Sequence, residues 1–146
     1  MKYARESARA AHLGSLLVGS LVDLPVPDLV TPVPLHPRRL QQRGYNQSLL
    51  LAQALVHETG WSIEDGMVSR MIDTLPQVRM RHDERQANVQ GAFAINDARL
   101  PADAHILIVD DVLTTGATTG EIARMLRGAG ARRIDIVTVA RALPHG

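Results

Sequence analysis

The chain contains no cysteine, which excludes a disulfide framework and any thiolate metal site. No apolar run approaches the ~18 residues that a membrane-crossing helix requires. The opening MKYARESARA has no apolar stretch behind its basic residues, so it does not read as a secretory leader, and a cytoplasmic protein is the expectation. Aromatic residues are scarce, with one Trp, two Tyr and one Phe. So few rings argue against a stacking platform for single-stranded nucleic acid. Lysine occurs only at Lys2 and there is no GxxxxGK[ST] loop, which removes the usual phosphate cradle of ATPases. The formal net charge is +1, and no extended basic face for nucleic acid is evident. Acidic residues are missing between Asp28 and Glu58, while Arg38, Arg39 and Arg43 cluster there beside His36.

What is present fits one α/β domain over residues 1–146. Leu13, Leu16, Leu17 and Leu21, extended by Ala4, Ala8 and Ala11, predict a helix over about Arg5 to Leu21. Prolines at 25, 27, 32, 34 and 37 then punctuate the chain. Between them, Leu29 to Val33 reads as a short buried strand that leads into a rigid loop. A second helix is expected over about Asn46 to Thr59, with Asn46 or Ser48 as its cap and Gly60 as its stop. Met67 to Ile72 and Gly91 to Ile95 are candidate β pieces. The stretch from Asp73 to Asn88 is polar, rich in arginine and without a strong period. Strands alternating with helices predict a parallel sheet covered on both sides.

The most informative stretch is ILIVDDVLTTGATT, Ile106 to Thr119. Ile106 to Val109 form a continuous apolar run, as in a strand buried on both faces. Asp110 and Asp111 are expected where that strand ends, at the sheet edge where α/β proteins bind ligands. Thr114, Thr115, Gly116, Ala117 and Thr118 then lead into a helix that carries Ile122, Met125, Leu126 and Ala129 at helical spacing. A helix start presents backbone N–H groups and a positive dipole end, and threonine hydroxyls add donors, so the loop suits a phosphate. Two carboxylates beside it suit the hydroxyls of a sugar. The competing view makes Asp110 and Asp111 solvated turn residues in an ordinary strand-turn-helix. Ile134 to Val139 closes the pattern as a last strand.

This segment resembles the phosphoribosyl-diphosphate signature of type I phosphoribosyltransferases. TPVPLHPRRLQQRGYNQSLLLAQAL (Thr31 to Leu55), the spaced Arg70, Thr74 and Gln77, and RQANVQGAF (Arg85 to Phe93) narrow the likeness to the ComF/GntX-like, competence-associated members. The resemblance implies a type I phosphoribosyltransferase fold: a parallel core sheet with helices on both faces, a small hood and a flexible loop. It also implies a cysteine-rich zinc segment ahead of the matched region, for which this sequence has no cysteines.

By that resemblance the chain binds 5-phosphoribosyl 1-diphosphate with magnesium and passes the phosphoribosyl group to a nitrogen acceptor. The 5-phosphate would lie on Thr114, Thr115, Gly116, Ala117 and Thr118, and the ribose hydroxyls on Asp110 and Asp111. Magnesium would be held through the substrate and not by direct protein ligation. Leu35, His36, Pro37, Arg38 and Arg39 stand where the family's loop binds pyrophosphate. Arg38 or Arg39 is the anion contact, and His36 is a candidate acid against the structural role that lone histidines more often have. Arg81 and Arg85 are the candidate cations of the closing loop, against a solvated arginine run beside Asp83 and Glu84. Tyr45 is a candidate base-stacking ring, while capping and docking suffice to explain RGYNQ. Competence or recombination proteins are the admitted partners, with a homodimer left open and no membrane insertion. The rival reading keeps the fold but uses it as an interaction module in DNA uptake or recombination.

Overall fold

The computed structural model describes residues 2–73, 90–113 and 116–141. It runs α1 (Lys2–Ser20), β1 (Leu29–Pro32), α2 (Pro37–Arg43), α3 (Gln47–Thr59), β2 (Val68–Arg70), β3 (Phe93–Ile95), a 3-10 turn (Asp97–Arg99), β4 (His105–Leu113), α4 (Ala117–Gly128) and β5 (Arg133–Arg141). A three-stranded parallel sheet has the order β1-β4-β5, and β2 pairs antiparallel with β3 in a separate two-stranded unit. Beyond β1, Val30 bridges Ile63 in parallel, so β1 is flanked on both edges.

The continuous apolar run is the axis of the sheet. Ile106, Leu107, Ile108 and Val109 are all at 0% exposure. Their alternation splits the core in two. Ile106 and Ile108 pack with Ile122 and Leu126 of α4 and with Met67, Val68 and Phe93 of the two-stranded unit. Leu107 and Val109 pack on the opposite face with Ala10 and Leu17 of α1 and with Leu51, Ala52 and Leu55 of α3. Each such fully buried aliphatic side chain contributes about 1.5–3 kcal/mol. Helices therefore cover both sides of the sheet. No helix among the described residues is long and apolar enough to cross a membrane.

Several sequence expectations need correction. In α1 the buried face is Ala10, Gly14 and Leu17, whereas Leu16, Ala4, Ala8 and Ala11 are exposed. Small residues win that face because α1 lies close against α3. A Cβ on Gly14 would come within 2.7 Å of the Ala54 Cβ and 3.2 Å of its backbone carbon. The stretch after β1 is not a plain rigid loop: it turns into α2. Pro37 takes the first helical position, the His36 ring Nδ1 accepts from Arg38 N–H at 3.2 Å, and Gly44 (φ 86) closes the helix. Tyr45 is buried in the α1–α3 core and so is not placed to stack on a base. The helix after it behaves as expected, with Asn46 as N-cap and Gly60 (φ 76) as C-cap. Gly91 takes φ 75, and Phe93 fills the core.

The α1–α3 contact yields a paired test. Gly14→Val should destabilise the fold by about 1–3 kcal/mol through overpacking. Gly19, also in α1 but with nothing within 4 Å of a built Cβ, should accept Ala with a small gain of up to about 1 kcal/mol from helix propensity. Urea midpoints measured side by side check both; equal shifts would contradict the close approach.

Candidate functional site

Strand β4 outlasts β1. Pro32 of β1 pairs with Val109, and Val33 N–H still reaches the Val109 carbonyl at 2.9 Å, but β4 continues to Leu113 against β5. Asp110 and Asp111, expected where the strand ends, are followed by two more strand residues, Val112 and Leu113. They lie on its final stretch, where the partner on the β1 side has peeled away. The strand extends because β5 still pairs with it, Asp110 against Thr138 and Val112 against Ala140. The gap left by β1 is a cleft of about 310 Å³ at the carboxyl end of the sheet.

Its lining carries both signs of charge: Asp110 and Asp111 with Thr118, and Arg39, Arg43 and Arg70, with Pro34 and Leu35 also present. Asp110 is almost fully buried, accepting from Ser48 Oγ at 3.2 Å and from the Asp111 backbone N–H at 2.9 Å. Burial, reinforced by the neighbouring Asp111 carboxylate, pushes the Asp110 carboxyl up to about 7. Asp111 is only partly buried and accepts from Val112 N–H at 2.9 Å. The pair thus joins one carboxyl kept close to neutrality by its surroundings to one facing water.

The basic wall is braced. Arg39 Nε bonds Asp73 Oδ1 at 2.8 Å, and that bond holds the Asp73 carboxyl below its ordinary range. Arg70 stacks over Phe93 with 5.4 Å to the ring centroid and donates to the Ile72 carbonyl at 3.3 Å. Burial, then the charge of Arg39, lowers the Arg70 guanidinium below its usual value. Glu121 of α4 accepts from the Gly91 backbone N–H and is held low by its bond from Arg124, which ties the two-stranded unit to α4.

At the start of α4, Gly116 (φ 79) takes the left-handed conformation, and Thr119 Oγ1 donates to its carbonyl at 3.3 Å. Without a Cβ, glycine adopts that angle at no steric cost. Gly116, Ala117 and Thr118 thus surround the helix start, and Thr118 reaches the cleft. Thr114 and Thr115 lie outside the described residues, as do Arg81, Arg85 and nearly all of the expected closing loop.

Of the expected pyrophosphate-loop residues, Leu35 and Arg39 line the cleft, while His36, Pro37 and Arg38 are not among its lining residues. Helix α2 is the reason. Arg39 and Arg43 are four residues apart and share a face, while exposed Arg38 is turned about 100° around the helix. The His36 ring caps α2 through Nδ1. Arg43, Arg70, Ser48 and Gln47 were not expected as site residues. A Pro at N1 and a Gly seven residues on were the missed signal for α2, and with it for Arg43.

Residues 49–144 match the phosphoribosyl transferase domain model. The chain is 37% identical over 98% of its length to the DNA utilization protein YhgH of Salmonella typhi, and 36% identical over 94% to competence protein F of Haemophilus influenzae. It spans 65% and 61% of the lengths of those curated relatives. Among solved structures it resembles the glutamine phosphoribosylpyrophosphate amidotransferase of B. subtilis, with a TM-score of 0.63 at 22% identity, covering 96% of this chain and 28% of that one. The fold is that of type I phosphoribosyltransferases, and the chain belongs to the phosphoribosyl transferase domain family.

Proposed function

We propose that the cleft binds 5-phosphoribosyl 1-diphosphate and that the chain transfers its phosphoribosyl group to a nitrogen acceptor, releasing pyrophosphate. One observation carries this reading: a carboxylate pair, three arginines and Thr118 from the start of a glycine-capped helix line a single cleft. The 5-phosphate belongs at the start of α4, where the helix dipole and Thr118 favour an anion. Asp110 and Asp111 accept from the ribose hydroxyls. Arg39, Arg43 and Arg70 face the diphosphate, and their planar forks suit phosphate oxygens.

Magnesium fits this site as a companion of the substrate. It prefers phosphate and water oxygens with one or two carboxylates, and Asp110 and Asp111 are the acidic side chains that line the cleft. Those two would hold it through the ribose oxygens and its own waters; when bound, it neutralises charge on the leaving diphosphate. The protein's share is electrostatic. As the bond from the anomeric carbon to the diphosphate oxygen breaks, the pyrophosphate takes the electron pair toward the arginine wall. Positive charge grows on the sugar next to the two carboxylates, which stabilise it.

The relatives' names favour a second reading, in which the same fold serves DNA handling as a binding module. A panel of purines, pyrimidines, nicotinic compounds and ammonia separates the two. A transferase releases pyrophosphate faster with one acceptor than by hydrolysis. A module binds the diphosphate and stays silent across the panel.

The state of Asp110 gives two further expectations. Between about pH 4 and about pH 7 the folded chain keeps a proton that the unfolded chain has lost, so stability falls as pH rises through that window and is flat above it. Asp110→Asn removes the penalty of a buried charge. It should stabilise the fold at pH 8 by roughly 1–3 kcal/mol, since each tenfold change in proton affinity is worth about 1.4 kcal/mol and water at Asp111 offsets part of the gain. The gain should fade toward pH 4. Parallel denaturation curves decide this. The double variant Asp110→Asn, Asp111→Asn should also bind phosphoribosyl diphosphate at least tenfold more weakly by calorimetry, as charged acceptors are worth about 1.5–3 kcal/mol each. Unchanged affinity would remove the ribose assignment.

A further inference from the structure

Glu121 lies one turn into α4, and its charged side chain is 9% exposed. Arg124, on the same helix, holds both carboxylate oxygens, at 3.0 and 2.8 Å. The third donor comes from another part of the fold, the backbone N–H of Gly91. Gly91 stands just before β3, with φ 75. Beyond it, the Ala92 carbonyl accepts from Met71 N–H at 2.7 Å, and Phe93 pairs with Arg70. The Arg70 guanidinium rests on that same Phe93 ring. A line of direct contacts thus runs from α4 to an arginine of the cleft, and the GAF end of RQANVQGAF lies along it.

Two anion contacts of the cleft belong to separate bodies. Thr118 sits at the start of α4, while Arg70 sits on the two-stranded unit, which is a sheet of its own. Ile122 and Leu126 of α4 pack against Met67, Val68 and Phe93, but apolar contact has no direction and fixes no particular offset. A carboxylate bonded to a backbone N–H does have direction. We infer that Glu121 is a positioning residue: it holds Arg70 at the offset from the start of α4 that a ligand with an anionic group at each end requires. The inference rests on the proposed function, in which the 5-phosphate meets α4 and the diphosphate meets the arginines. Such a ligand is bivalent, and its ends reinforce each other only when both contacts are correctly spaced. Glu121 is not among the residues that line the cleft, so it acts through Gly91 and Arg70.

The test compares the whole ligand with its two halves. Phosphoribosyl diphosphate with magnesium, ribose 5-phosphate, and pyrophosphate with magnesium are titrated by calorimetry into wild type, Glu121→Ala and Glu121→Asp. The Asp variant keeps the charge but falls one methylene short of Gly91. Both variants should bind the whole ligand about fivefold or more weakly, the scale of one net hydrogen bond, while each half stays within about twofold. Glu121→Gln retains an acceptor for the Gly91 N–H and should return the whole ligand to within about twofold of wild type. Added to Arg70→Ala, Glu121→Ala should change that affinity by less than about twofold, because the arginine it positions is gone. Unchanged affinity for the whole ligand, an equal loss on the halves, no rescue by Gln, or additivity with Arg70→Ala would each overturn the role. If Glu121→Ala does not fold, Glu121→Asp decides. A wild type that does not bind phosphoribosyl diphosphate strikes the cleft reading itself, whereas binding by wild type with no response in the variants strikes Glu121 alone.

Discussion

The two-sided burial of β4 is the constraint from which the cleft follows. Its four central side chains are removed from water by different partners on each face, α4 and the two-stranded unit on one, α1 and α3 on the other. A slip of one residue would send every one of them to the wrong layer. Register is therefore fixed by packing over the whole strand, and the two residues that follow the apolar run are delivered to the sheet edge without freedom to choose. Asp110 is held on the α3 side, under Ser48. A carboxyl that titrates near neutrality is the consequence of where a hydrophobic strand had to end.

The signature, the parallel strands and the helix caps were legible because they rest on local chemistry. Four apolar residues in a row, a glycine before a helix and an Asn at a cap each have one good explanation. The α1 face was misread because periodicity ranks leucines above small residues. It cannot show that another helix comes close enough to demand Ala10 and Gly14. Helix α2 was hidden among prolines that usually signal loops, although Pro37 is a helix starter in this context. Ser48 joins the cleft through its bond to Asp110, far off in sequence, and no pattern around it announces that.

The arginine wall is built from elements that share no local signal. Arg39 and Arg43 come from α2, and Arg70 from β2, where an aromatic ring supports its guanidinium. Like charges gathered in one cleft repel one another, and Asp73 offsets part of that repulsion from the Arg39 side.

Asn46 ties this arrangement together. Its side-chain oxygen accepts from Ser48 N–H at 3.0 Å while its amide nitrogen donates to the Val33 carbonyl at 3.0 Å. One short side chain thereby starts the helix that carries Ser48 and anchors the segment leaving β1. The two banks of the cleft are set during folding, so an incoming ligand does not have to freeze them relative to each other. The entropy of that ordering falls on the native state and not on the binding equilibrium.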